Sequence, residues 1–179
     1  MNPLARVGAS PAERGAALPG DDLVDADVVM DRGFDLPAPP AAVWPWLLQL
    51  GKRRGGWYFP AAVERFEPWS RRGLRRVDPV LARLVPGQVV PDWGGRTATL
   101  VVVEVEPAAH LLYRSDRGRL SMTWCLALTP SGTGTRVHSR VRLAGIRRRR
   151  LAEQVGGLFD GLTIAGLAAG LEERLRPLR

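Results

Sequence analysis

The chain has 179 residues, 26 basic and 18 acidic side chains, a formal charge of +8 and one cysteine, Cys125. That length fits one domain with a core able to enclose a cavity, and a lone cysteine excludes an intramolecular disulfide or a multi-cysteine metal site. The first residues lack the basic-then-apolar pattern of a signal peptide and no stretch reads as apolar enough to cross a bilayer, so a cytoplasmic protein is expected.

The charge is uneven. Residues 1–50 carry 3 arginines and 7 acids, a balance of −4, and the rest carry 23 basic and 11 acidic side chains, a balance of +12. Such a surface could meet nucleic acid or an anionic membrane. Yet 25 of the 26 basic residues are arginine, beside abundant Ala, Gly, Pro, Leu and Val. A GC-rich genome produces that skew without functional demand, so the compositional origin is favoured over either partner.

Residues 1–25 are rich in Ala, Gly and Pro without an apolar period and read as a mobile leader; residues 26–179 form the single domain. Residues 27–36 alternate, with Val28, Met30, Phe34 and Leu36 on one face and Asp27, Asp31 and Asp35 on the other, as a half-buried strand requires. Pro37, Pro39 and Pro40 stop this strand, and Pro40 opens a helix over 40–50 that Pro45 bends and Gly51 closes. Short helices are expected over 61–69 and 78–84.

Strands follow over 88–91, 97–106, 110–115 and 120–129. In the second of these Val101, Val103 and Val105 lie opposite Glu104 and Glu106. In the last, Leu120, Met122, Trp124, Leu126 and Leu128 alternate with Ser121, Thr123, Cys125, Ala127 and Thr129. A further strand alternates Val137, Val141 and Leu143 with Arg136, His138, Arg140 and Arg142. The pattern describes an antiparallel sheet covered on one side only, with His138 facing solvent. A helix over 147–176 ends the chain, and glycines 156, 157, 161, 166 and 170 each weaken it by about 1 kcal/mol relative to alanine. Close approach to the sheet, room for a ligand, or genome composition would each account for them.

The run from Arg32 to Phe59, RGFDLPAPPAAVWPWLLQLGKRRGGWYF, carries the most specific local signal. Its phrase APPAAVWPWLLQLG followed by GGWY resembles the start of the SRPBCC (START/Bet v 1-like) superfamily, and most of all its uncharacterised bacterial "polyketide cyclase/dehydrase" branch. The resemblance extends over about residues 27–176. It implies an α+β helix-grip fold: a curved antiparallel sheet of about six or seven strands wrapped around a long C-terminal helix, with a ligand cavity between them.

No HExxH, CxxC, P-loop, GxSxG or dinucleotide fingerprint occurs, so no catalytic residue is assigned and no metal or cofactor is expected. Cys125 reads as an inert, half-buried thiol. Arg32 shares the parity of Met30 and Phe34, where an arginine is costly unless paired or wet; it either binds an anionic or carbonyl group of a ligand or pairs with a structural acid. Trp44, Trp57, Tyr58 and Trp124 supply aromatic walls, with plain core packing favoured for Trp44 and Trp124. The resemblance puts Trp57 and Tyr58 near the cavity entrance, and Met122, Phe159 and Leu162 complete the ligand-facing set. Arg147–Arg150, at the positive end of a helix dipole, is either an anion contact or a solvated charge run.

The function expected is binding of a small apolar, lipid- or polyketide-like molecule. The alternatives are a cyclase/aromatase-type enzyme, for which Arg32, Tyr58 and Asp78 are the groups on offer, and a basic surface for nucleic acid or anionic lipid. Oligomeric state is left open.

Overall fold

The computed structural model describes residues 3–176. Six strands form one antiparallel sheet: β1 (Val28–Leu36), β2 (Val89–Pro91), β3 (Thr99–Glu106), β4 (His110–Arg117), β5 (Leu120–Ser131) and β6 (Gly134–Ala144), in the order β1-β6-β5-β4-β3-β2. The first strand thus closes against the last, and the others follow as a meander. The C-terminal helix, Arg149–Leu175, packs on one face of this sheet, which is the helix-grip arrangement.

Strand parity decides that face. Met30, Arg32 and Phe34 stand opposite Val141, Ser139 and Val137, which in turn face Trp124, Leu126 and Leu128. These rows make the inner wall, against which Ile164, Leu167 and Leu171 of the helix are buried. In β3 the expected Val101, Val103 and Val105 row is broken by a register shift between Val102 and Glu104. The extra residue of such a bulge moves the buried set to Leu100 and Val102 and leaves Val101 more than a third exposed.

The outer face is not bare. Of residues 1–25, read from composition as a mobile leader, Pro3–Val7 packs on the C-terminal helix and β1, with Val7 in the core, and residues 8–24 cross the outer face. Ser10 and Glu13 form a reciprocal capping box that starts α1 (Pro11–Gly15), with Pro11 in the first turn. Arg140 of β6 donates to the carbonyls of Glu13, Arg14 and Ala16 and pairs with Asp21, while Arg136 pairs with Glu13 and Arg142 donates to the carbonyl of Val24. The Arg136 hydrogen bond holds the Glu13 carboxyl down at about 2. The expectation of a sheet covered on one side therefore fails, and so does that of a solvent-facing His138. Its Nε2 lies 2.7 Å from Asp31 Oδ1, and the residue is buried.

Between β1 and β2 the chain forms α2 (Pro40–Gln49), carrying Pro45 as expected, and α3 (Ala61–Glu64), shorter than the 61–69 anticipated. A single 3-10 turn, Trp69–Arg71, follows. Residues 78–84 make no helix, only a turn in which the Ala82 N–H donates to the Asp78 carbonyl. Arg174 of the C-terminal helix ties this segment down: its guanidinium is wholly buried, pairs with Glu64 at 2.5 Å and donates to the carbonyls of Phe59, Gly73 and Leu74.

By length and composition the C-terminal helix passes for a membrane span, with 27 residues and a window of mean hydropathy 1.2, contrary to the sequence expectation. Its second half is instead a core element of this fold. A π turn, Ala152–Gly156, interrupts its first half.

Candidate functional site

In the space between sheet and helix, where the ligand cavity was expected, aromatic side chains bridge the two layers. Trp57, Trp124 and Tyr113 stack in a column, with ring centroids 6.1 and 5.5 Å apart, and Trp93 meets Trp57 edge-on. The Trp57 indole donates to the Thr163 carbonyl of the helix and the Trp124 indole to Ser139 Oγ. Two of the expected ligand walls thus form a bridge from sheet to helix. Buried indoles need such partners, and here they have them.

Tyr58 is not at an entrance. It is fully buried, its hydroxyl donates to the Trp46 carbonyl, and Arg174 lies over its ring at 4.7 Å. Burial raises its pKa above the ordinary tyrosine value. Trp44 is core, as favoured from sequence. Cys125 is buried with its thiol pushed up to about 12, which leaves it protonated and unreactive at neutral pH.

Arg32 does face the helix, and it has an acid partner that the sequence left unnamed. Its Nε lies 2.9 Å from Asp160 Oδ2, its Nη2 donates to the Gly157 carbonyl at 2.6 Å, and its Nη1 to the Asp31 carbonyl. Burial lifts the Asp160 carboxyl to about 6, in spite of the neighbouring cation. Phe159 and Leu162, expected on the inner side, point outward and are 72% and 49% exposed. The helical period explains this: Gly157, Asp160, Gly161 and Ile164 take the sheet side, which leaves 158, 159 and 162 on the other.

A concavity lies at the first half of the helix. It is a groove of about 630 Å³ lined by Leu120, Ile146, Leu151, Ala152, Val155 and Gly156, with Gly145, Arg119, Arg147 and Arg148 at its edge. The β4–β5 turn supplies one side, the β6-to-helix link the end, and the π turn the other side. Arg147 to Arg150 are all exposed, and Arg148, the residue before the helix, makes no side-chain cap. A second concavity, beside Phe34 and Ala168, holds only about 80 Å³.

Sequence reasoning singled out the arginine run but not Ile146, Leu151 or Val155 as its apolar companions. Their signal was there, since apolar residues stood next to cations that no acid in the first turn offsets. Of the expected set, Met122 is half-buried on the inner wall, in register with Leu143 of β6. Among the described residues no cluster of His, Cys, Asp or Glu could hold a metal ion.

The architecture is the Bet v 1-like helix-grip fold. Neither protein-family models nor curated proteins give a match to this chain. Solved structures do. Protein MLL2253 from Mesorhizobium loti is 18% identical over 84% of this chain and 100% of its own, with a TM-score of 0.54. Protein NE0264 from Nitrosomonas europaea is 24% identical over 85% and 96%, at 0.53, and protein Ms6760 from Mycobacterium smegmatis 14% identical over 85% and 93%, at 0.51. At these identities the likeness is one of fold.

Proposed function

We propose that the protein binds a small amphiphile, with an apolar body in the groove beneath the start of the C-terminal helix and an anionic or strongly polar head at Arg119, Arg147 and Arg148. The observation that carries this reading is the groove itself: about 630 Å³, apolar inside and arginine-edged. Small-molecule sites have this size and this economy of polar groups. Affinity comes from apolar area removed from water, at about 25 cal/mol per Å², and orientation from the guanidinium forks.

The test is titration with anilinonaphthalene sulfonate, followed by solvent extraction and mass spectrometry of protein purified from its own host. Saturable binding of one probe per chain is expected, weakened about tenfold (roughly 1.4 kcal/mol) by Ile146→Trp, which fills the groove. Probe affinity indifferent to both Ile146→Trp and Arg147→Glu rejects the site.

A second reading, a cyclase/aromatase-type enzyme, is favoured by the Arg32–Asp160 pair. A carboxylate titrating near 6 beside a guanidinium offers a base and a carbonyl-polarising donor, one turn along the helix from the groove wall at Gly156. Turnover of a poly-β-keto substrate that survives Asp160→Asn rejects that assignment.

A further inference from the structure

The C-terminal helix is apolar on two opposite faces, and the fold uses only one. Ile164, Leu167 and Leu171 are buried on the sheet side. On the other side Leu151, Val155, Leu158, Phe159 and Leu162 are between 49% and 72% exposed. Their spacing of i, i+4, i+7, i+8 and i+11 draws them into one stripe along about three turns. Five large apolar side chains in a row exceed what scattered surface hydrophobes require.

From this stripe and the cations beside it we infer that the first half of the helix is a docking face for an anionic lipid bilayer, lying in the interface with Phe159 at its centre. The charge argues for that occupant. Arg147, Arg148, Arg149 and Arg150 are exposed at the head of the stripe, against one exposed acid on the same stretch, Glu153; Asp160 is turned inward to Arg32. A basic head on an apolar stripe is the pattern of interfacial helices, which combine buried apolar area with attraction to anionic headgroups. A second copy of the chain docked through the same face would bring the same four exposed arginines, whereas an anionic leaflet brings the opposite sign. Leu151 and Val155 belong both to the stripe and to the groove wall. Docking therefore turns the groove toward the membrane, the phase in which an amphiphile is held. The inference does not need the groove to be occupied, since Leu158, Phe159, Leu162, Arg149 and Arg150 do not line it.

The experiment is co-sedimentation of the full chain with phosphatidylcholine vesicles, with and without phosphatidylglycerol, at low and high salt. Binding is expected to the anionic vesicles at low salt, to weaken with salt, and to fall at least tenfold in both Leu158→Ser/Phe159→Ser and Arg149→Glu/Arg150→Glu. Thermal melting shows that each variant is folded; Leu158→Ser/Phe159→Ser should melt like the parent because those side chains are exposed, and Arg149→Glu/Arg150→Glu gives up only the exposed Arg149 bond to the Asp27 carbonyl. A Phe159→Trp reporter should shift to the blue on anionic vesicles and be quenched by brominated acyl chains. Parent protein that stays in the supernatant with anionic vesicles overturns the inference. So does light scattering that finds a vesicle-free dimer which Leu158→Ser/Phe159→Ser converts to monomer, because the stripe is then a seam between copies. Failure of the groove reading has a separate signature, probe binding unaffected by Ile146→Trp, and leaves the vesicle result standing.

Discussion

The carboxylate of Asp31 and the guanidinium of Arg140 meet at 2.7 Å directly across the β1–β6 ladder, with side chains only 9% and 5% exposed. His138 shares the same carboxylate oxygen, and the two hydrogen bonds hold the Asp31 pKa below its ordinary value against the opposing effect of burial. The arginine's remaining donors go to Asp21 and to three carbonyls of residues 13–16. One side chain thus joins the sheet to the N-terminal segment.

Replacing Arg140 with Leu should therefore be severe. It leaves Asp31 buried with one cation fewer and strips the segment's carbonyls of their donor. Breaking a buried pair from one side costs about 3–5 kcal/mol. Urea denaturation measures this directly, and a midpoint equal to the parent's would mean that the segment is not held through this residue.

The Arg32–Asp160 pair gives a pH signature of its own. An aspartate of 3.8 when unfolded and about 6 when folded binds more protons in the folded state over that interval. Stability contributed by this group is complete below about pH 4 and is lost as pH rises through about 6, by up to about 3 kcal/mol. Asp160→Asn cannot titrate. The stability of the parent minus that of the variant should fall across this window and stay flat above it. A difference independent of pH would place the carboxyl in water.

At Gly170 the helix lies close against the backbone of Tyr58 and Phe59. A Cβ there would run into the Tyr58 carbonyl, and one at Gly166 would meet the Phe59 ring. Gly170→Ala should raise helix propensity by about 1 kcal/mol and still destabilise the protein by roughly 1–3 kcal/mol through overpacking against backbone. Gly157→Ala, whose Cβ meets only the end of Arg32, should be close to neutral or stabilising. Two variants of equal stability would return both glycines to genome composition.

Much of this was readable in the chain. Period-two alternation placed β1, β5 and β6 to within about two residues, and the proline cluster marked the start of α2. The N-terminal segment was also legible in part: Ser10-Pro-Ala-Glu13 is a capping box with proline at its first helical position, and its acids complement the arginines of β6. Composition alone hid it, because Ala-, Gly- and Pro-rich sequence suits both a loose leader and a segment held by its backbone carbonyls. The β3 bulge was not readable, since one extra residue leaves the local alternation intact and changes only which strand edge it meets.

The sequence by itself determined the order of the strands, the place of α2, the inner and outer faces of most strands and the helix that grips them, because those follow from local periodicity and from residues that cannot continue a strand or helix. Only the tertiary structure decided that Arg32 pairs with Asp160, that an aromatic column bridges the sheet and the helix where the cavity was expected, and that the groove opens at the helix's first half. Each of these depends on groups far apart in the chain, 128 positions in the case of Arg32 and Asp160, and on how closely two packed layers approach. No local pattern encodes that distance.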